Sequence, residues 1–270
     1  MATKEATVDT AGMGYLDSVP RRFVTVWLPL SVFLFVLLIP FYWMVITAIK
    51  PNEELLSREG NPFWVKNPTF AHIHKLLFDT AYPDWLWNTI LVSVTATVLS
   101  LVCSVSRYVG MAIFLAYLVP PSILFIPLAT MVFQFGLFDT RLALILTYPT
   151  FLIPFCTWLL MGYFKSIPYE LEECALIDGA TRWQILTRII LPLAVPGLIS
   201  AGIFAFTLSW NEFIYALTFI TSVQNKTVPV AIVNEFVDGD IYRWGSLMAG
   251  ALVGSLPLVI LYSFFVEYYV

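Results

Sequence analysis

Charge is what this chain has least of. Only 12% of its 270 residues are Asp, Glu, Lys or Arg, about half the share usual in soluble domains. The formal net charge of −4 is small and scattered along the chain, so nucleic acid is not an expected partner. Cysteine is nearly as scarce. Cys103, Cys156 and Cys174 have no CxxC spacing and cannot build a disulfide framework, so they read as small buried hydrophobes. The two histidines, His72 and His74, form a lone His-x-His. A metal site takes three or four ligands, so they read as exposed residues on a short helix and no metal is expected. The phosphate-binding pattern Gly-x-x-x-x-Gly-Lys-Ser/Thr is missing. So are the nucleophile, base and paired aspartates of an intramembrane protease, and the chain is not expected to be an enzyme.

Apolar residues, by contrast, make up 59% of the chain, with a mean hydropathy of +0.83. A water-soluble fold would expose large sticky patches at that composition, so the excess surface needs lipid. A spanning helix takes about 20 apolar residues. Six runs qualify, at 23–48, 85–106, 109–135, 142–164, 193–219 and 247–268. The expected fold is therefore all-α, a polytopic membrane bundle of six transmembrane helices. The first run follows about twenty mostly polar residues and is too long for the core of a signal peptide. Residues 1–22 form a cytoplasmic N-terminal segment and 23–270 a transmembrane domain on this reading. Prolines 40, 120, 121, 127, 149, 154, 196 and 257 recur in the runs. Neighbouring helices in a bundle can satisfy the carbonyls they free. Gly250 and Gly254 form a GxxxG that suits close helix contact.

The connections differ. Residues 50–84 form a long polar-aromatic segment with a short amphipathic helix expected near 70–78. Only Ser106-Arg107-Tyr108 joins the second and third runs. Lys and Arg divide evenly between the two sides, seven and seven, so charge leaves the orientation open. Residues 165–192 are a polar island. Pro168 suits a helix start, and Glu170, Glu172 and Glu173 then lie near the positive end of the helix dipole. Gly179 can take the left-handed turn that ends a helix. A second short helix is expected from Thr181 to Leu191, stopping before Pro192. Two short helices meeting at a sharp corner outside the bilayer can lie in a groove on another protein or link two spans along the interface.

The spacing Glu173-Cys174-Ala175, Asp178-Gly179, then Ile189-Ile190-Leu191-Pro192 closely resembles the coupling loop of binding-protein-dependent ABC permeases, with Cys174 where that family usually has alanine. Trp85-Leu86-Trp87-Asn88-Thr89, Leu118-Val119-Pro120, Gly136-Leu137-Phe138-Asp139-Thr140 and Ser209-Trp210-Asn211-Glu212-Phe213 are similar to carbohydrate-uptake permeases of the maltose-transporter type, in particular to the six-span partner of the pair. The family usually has a longer basic stretch between spans two and three and a short polar tail, and neither is seen here. The resemblance implies a subunit of an ATP-driven importer for a sugar or sugar-like solute, in the bacterial inner membrane with both termini cytoplasmic. Its implied partners are a second homologous permease chain, two ATPase subunits that hold ATP and Mg, and an extracytoplasmic solute-binding protein. No cofactor is implied on this chain. Glu172, Glu173, Ala175, Asp178, Gly179, Leu191 and Pro192 would form the ATPase-coupling site. Glu212 is an acid embedded in the fifth run, and an ionisable group there is a functional candidate. With Trp210, Asn211, Gln134 and Asn88 it is a candidate for the solute path, since sugars bind to aromatic faces and polar edges. The rival reading, a secondary transporter, would be expected to show internal repeats and ion-coupling groups inside its spans.

Overall fold

The computed structural model describes residues 18–57, 61–105 and 120–269. In chain order the helices are α1 (Val19–Ile49), α2 (Asn52–Leu56), α3 (Ala71–Phe78), α4 (Tyr82–Ser104), α5 (Pro121–Gln134) and α6 (Arg141–Phe164). They continue with α7 (Glu170–Ile177), α8 (Arg182–Leu193), α9 (Val195–Trp210), α10 (Ile214–Phe219), α11 (Val228–Phe236) and α12 (Trp244–Tyr269). A two-residue hairpin, β1 (Val237–Asp238) and β2 (Ile241–Tyr242), joins α11 to α12.

Helices α1, α4, α6 and α12 are each long and apolar enough to cross a membrane, and α8 with α9 passes as a pair bent by 72°. Helix α5 is the described part of the expected run 109–135. The Ser106-Arg107-Tyr108 connection, Leu118-Val119 and most of the N-terminal segment lie outside the described residues. Lipid offers the backbone no hydrogen-bond partners, so each apolar run closes its bonds as helix. Pro40, Pro127, Pro154 and Pro257 all sit inside helices. Several buried hydroxyls close locally, Thr89, Ser100 and Thr147 each donating to the carbonyl four residues back, whereas those of Ser93, Thr97 and Thr157 find no partner. Helix α4 is the hub. Its buried face, including Ser93, Ala96, Thr97 and Ser100, is small enough to let α6 and α9 pack closely on it. Helix α12 packs along α1, and its GxxxG glycines offer their carbonyls to Tyr82 Oη (2.9 Å) and Trp210 Nε1 (3.2 Å).

Four expectations are corrected. The fifth run does not continue to residue 219, because it breaks after Trp210 and resumes as the separate helix α10. Helix α8 does not stop before Pro192. Residues Leu186–Ile190 wind as a π-turn, Pro192 falls in the first turn after it, where a missing donor is tolerated, and the bend falls at Ala194. His72 is buried rather than exposed. Its ring packs over Gly245, where an added Cβ would lie 2.4 Å from Nε2, and Nε2 is 3.0 Å from the Lys50 carbonyl. His74 is exposed as expected, beside Phe78. Of the cysteines only Cys156 is buried, and Cys103 and Cys174 are exposed.

At the end of the bundle opposite the α6–α8 connection, two sequence motifs grip one loop. Asp139 stands in the left-handed region at φ 60°, which a short polar side chain tolerates. Its Oδ1 accepts from Thr221 N (2.9 Å), Ser222 N (2.9 Å) and Ser222 Oγ (3.0 Å). Its carbonyl accepts from Asn225 Nδ2 (2.7 Å). From the other side, Trp85 Nε1 donates to the Val223 carbonyl (2.8 Å), and Asn88 Nδ2 to those of Gln224 (2.7 Å) and Lys226 (3.0 Å). Thr89 Oγ1 accepts from Val228 N (2.9 Å). Residues 219–228 are thus a strut tied to the start of α4 and to the turn between α5 and α6.

Slight burial works against ionisation of Asp139, but hydrogen bonds from Ser222 and Thr221 outweigh it and hold the carboxyl below its ordinary value. A group depressed in this way stabilises the fold above its unfolded value, about 3.9, and loses that contribution as pH falls through the folded value. Asp139→Asn is therefore expected to lower the thermal midpoint at neutral pH, with the gap to wild type closing below about pH 4. Thermal unfolding followed across pH checks this. A gap that stays constant into acid contradicts it.

Candidate functional site

The polar island folds as a projecting elbow. Glu170, Glu172 and Glu173 occupy the first turn of α7, where carboxylates meet the unpaired N–H groups of the helix start. The end of α7 is a complete left-handed stop. Gly179 takes φ +81°, its N–H donates to the Leu176 carbonyl (3.1 Å), and Ala180 N–H donates to the Ala175 carbonyl (2.9 Å). That pairing of bonds closes the orphan carbonyls and calls for glycine. No atom lies within 4 Å of a Cβ built at Gly179, so the requirement is backbone conformation and not space. Two residues later, Thr181 starts α8 with a reciprocal cap. Gln184 N donates to Thr181 Oγ1 (3.3 Å), and Thr181 N donates to Gln184 Oε1 (2.8 Å).

The corner is therefore fastened on both sides by its own hydrogen bonds. Ala175 and Ile185 are buried in it. Glu173, Asp178, Gly179 and Pro192 are exposed, and Glu172 and Leu191 are half-buried. Sequence reasoning missed Trp183 and gave Ile177 no special weight. They are 72% and 85% exposed, large apolar residues on either side of a polar corner. The available signal was an apolar residue directly before Asp178-Gly179, and a tryptophan directly after a helix start. Exposed apolar surface rimmed by charge marks a contact site for another protein.

The candidates for a solute path are not brought together. Asn88 is fully buried and bound to the strut, with its Oδ1 left unpaired. Trp210 is buried and bonded to α12. Glu212 is half-buried, and its two carboxylate oxygens accept from Tyr215 N (2.8 Å) and Ala216 N (3.1 Å). It caps the start of α10 and explains the break in the fifth run. Asn211 and Gln134 are exposed, Asn211 bonding back to the Thr207 carbonyl. Three of the five are thus engaged in structure, and two are open. Among the described residues no cluster of His, Cys, Asp and Glu could hold a metal ion.

The profile of the family described as "Binding-protein-dependent transport system inner membrane component" matches residues 104–270. An inner membrane ABC transporter permease protein of Escherichia coli is 33% identical over 249 residues, covering 87% of this chain and 88% of that protein. A trehalose/maltose transport system permease protein of Thermococcus litoralis is 34% identical over 249 residues, covering 86% and 88%. A solved structure of a bacterial ABC transporter involved in the import of the acidic polysaccharide alginate contains a chain that superposes with a TM-score of 0.78. It is 21% identical and covers 94% of this chain and 99% of that one.

The elbow's cap can be tested without any partner. Thr181→Val removes the hydroxyl half of the cap, while the backbone N–H at 181 can still donate to Gln184 Oε1, and should cost the start of α8 about 1 kcal/mol. Hydrogen exchange of the amides at 182–185 is expected to quicken, while exchange in α4 is unchanged. Equal protection in both proteins would show that the cap does not hold the corner.

Proposed function

The chain belongs to the family of binding-protein-dependent transport system inner membrane components and is a permease subunit of an ABC importer for a sugar or sugar-like solute; from that premise we propose that the elbow is the part through which ATP hydrolysis on partner subunits drives the spans. Two ATPase subunits hold ATP and Mg, one engaging this elbow and the other the corresponding loop of a second, homologous permease chain. Ile177 and Trp183 supply apolar contact in a groove of the ATPase, and Glu173 and Asp178 fix the register. Gly179 supplies the corner. An extracytoplasmic binding protein delivers the solute at the strut end. Both termini lie in the cytoplasm, with residues 1–22 as the leading segment and the transmembrane domain following.

The observation that carries this reading is the continuity of the elbow with the bundle. Helix α8 runs from the capped corner into the 72° bend and on as α9, which packs against α4 and α6. A displacement of the corner reaches the hub helix through the π-turn at Leu186–Ile190, the bend at Ala194 and the packing of α9. Closure of the ATPase pair favours one arrangement of the spans over the other, and that difference in free energy is what moves them. On this chain Asn211 and Gln134 are the open polar groups that could meet sugar hydroxyls. The bonds of Asn88, Trp210 and Glu212 give those residues positioning roles.

Gly179→Val tests the coupling role. A β-branched side chain in the left-handed region costs about 1–2 kcal/mol, spent on the elbow and not on the bundle. The expected outcome is an importer that still co-purifies with its ATPase and sister permease but takes up little sugar per ATP hydrolysed. Uptake at the wild-type ratio would refute the assignment.

A further inference from the structure

The connection between α2 and α3 does not stay above the end of α1. One charged pair fastens the segment 61–66 at both ends. Lys50, at the close of α1, is buried. Its Nζ donates to the Asn61 carbonyl (2.9 Å) and lies 3.9 Å from Glu54 Oε1. Glu54 in turn accepts from Lys66 N at 3.2 and 3.3 Å. Between these ties, Tyr42 Oη donates to the Phe63 carbonyl (2.6 Å), and the rings of Trp43 and Phe63 meet edge-on at 5.7 Å. Tyr42 stands seven residues before Ile49, the last residue of α1, which is about 10 Å back along the helix. The segment therefore returns beside the final two turns of α1 and carries Phe63 and Trp64 to that depth. Both rings are open, at 63% and 67% exposed.

We propose that Phe63 and Trp64, braced by the Lys50–Glu54 pair and by Tyr42, form an anchor that seats in the boundary between headgroups and acyl chains of the outer leaflet. The proposal rests on the transmembrane reading of α1 and on the strut end being outside, and is independent of the elbow's partner. Four observations favour lipid as the occupant. Two adjacent aromatic side chains left in water would form a sticky patch. The patch adjoins α1 through Tyr42 and Trp43, and Phe35, Leu38 and Phe41 on the same helix are also exposed. The Asn61 and Phe63 carbonyls are already bonded within the chain, so the outward surface offers mainly ring area and few directional groups for a protein partner. The Trp64 indole and the neighbouring Tyr42 phenol also favour this boundary, where one edge is apolar and the other wet. The brace explains why a lysine is buried at the end of a span: it holds the anchor at one depth.

The test uses the assembled transporter in lipid vesicles, with Cys103, Cys156 and Cys174 replaced by serine and an environment-sensitive fluorophore attached to Trp64→Cys. The expected result is blue-shifted emission, lost with lipids spin-labelled near the headgroup and retained with aqueous iodide. A second label at Phe63→Cys should behave alike. Quenching by iodide would place the segment in water, and protection from both quenchers would place it under a protein chain; either overturns the proposal. A label at Phe35→Cys checks the spanning reading separately. Quenching there by deeply labelled lipid upholds it, and quenching by iodide overturns it together with the anchor.

Discussion

A corner of polypeptide can transmit a push only if it does not yield, and outside the bilayer this one has little core to hold it beyond Ala175 and Ile185. The elbow at Gly179 meets this constraint with hydrogen bonds that close within a few residues. The left-handed stop satisfies the end of α7, and the reciprocal cap satisfies the start of α8. Everything that connects the elbow to the bundle follows from that stiffness. On the proposed coupling role, the bend at Ala194, the packing of α9 on α4 and the two apolar side chains at an exposed tip all depend on the corner keeping its angle.

Polar residues elsewhere in the chain are used in the same way. They are few, and those near the ends of the spans hold connections in place. Asp139 and Asn88 tie the strut, Glu212 caps α10, and the Lys50–Glu54 pair braces the segment at 61–66. A bundle whose lateral surface is apolar has little directional chemistry inside the lipid. Its geometry is therefore set by packing within the membrane and by hydrogen bonds at the two faces. The two faces are also where, on the function proposed above, the importer meets its motor and its delivery protein.

Much of this was legible in the sequence. Long apolar runs mark spans because lipid demands length, and the elbow is marked by its own punctuation, Pro168, the early glutamates and Gly179. The short helix at Ala71–Phe78 was equally readable. What was hidden depends on partners distant in sequence or on a change of role. The burial of His72 is set by Gly245, far along the chain, whose bare backbone leaves room for a ring. Glu212 reads as an embedded acid until its oxygens are seen to accept from the helix that follows, and the broken fifth run comes from the same bonds. Asn88 looked like a lining residue because the strut that buries it comes from residues 224–226. Pro192 looked like a stop because a π-turn before it could not be foreseen.

The central claim is that the elbow is lodged in an ATP-hydrolysing subunit and moves with it. Cys174 stands exposed on α7, one residue from Glu173, and offers a native handle. A short thiol cross-linker applied to the assembled transporter should join Cys174 to the ATPase, with a yield that changes between the nucleotide-free and ATP-bound states. Labelling of Cys174 only by a membrane-impermeant reagent from outside the cell, or a cross-link to no ATPase in either state, would contradict the account.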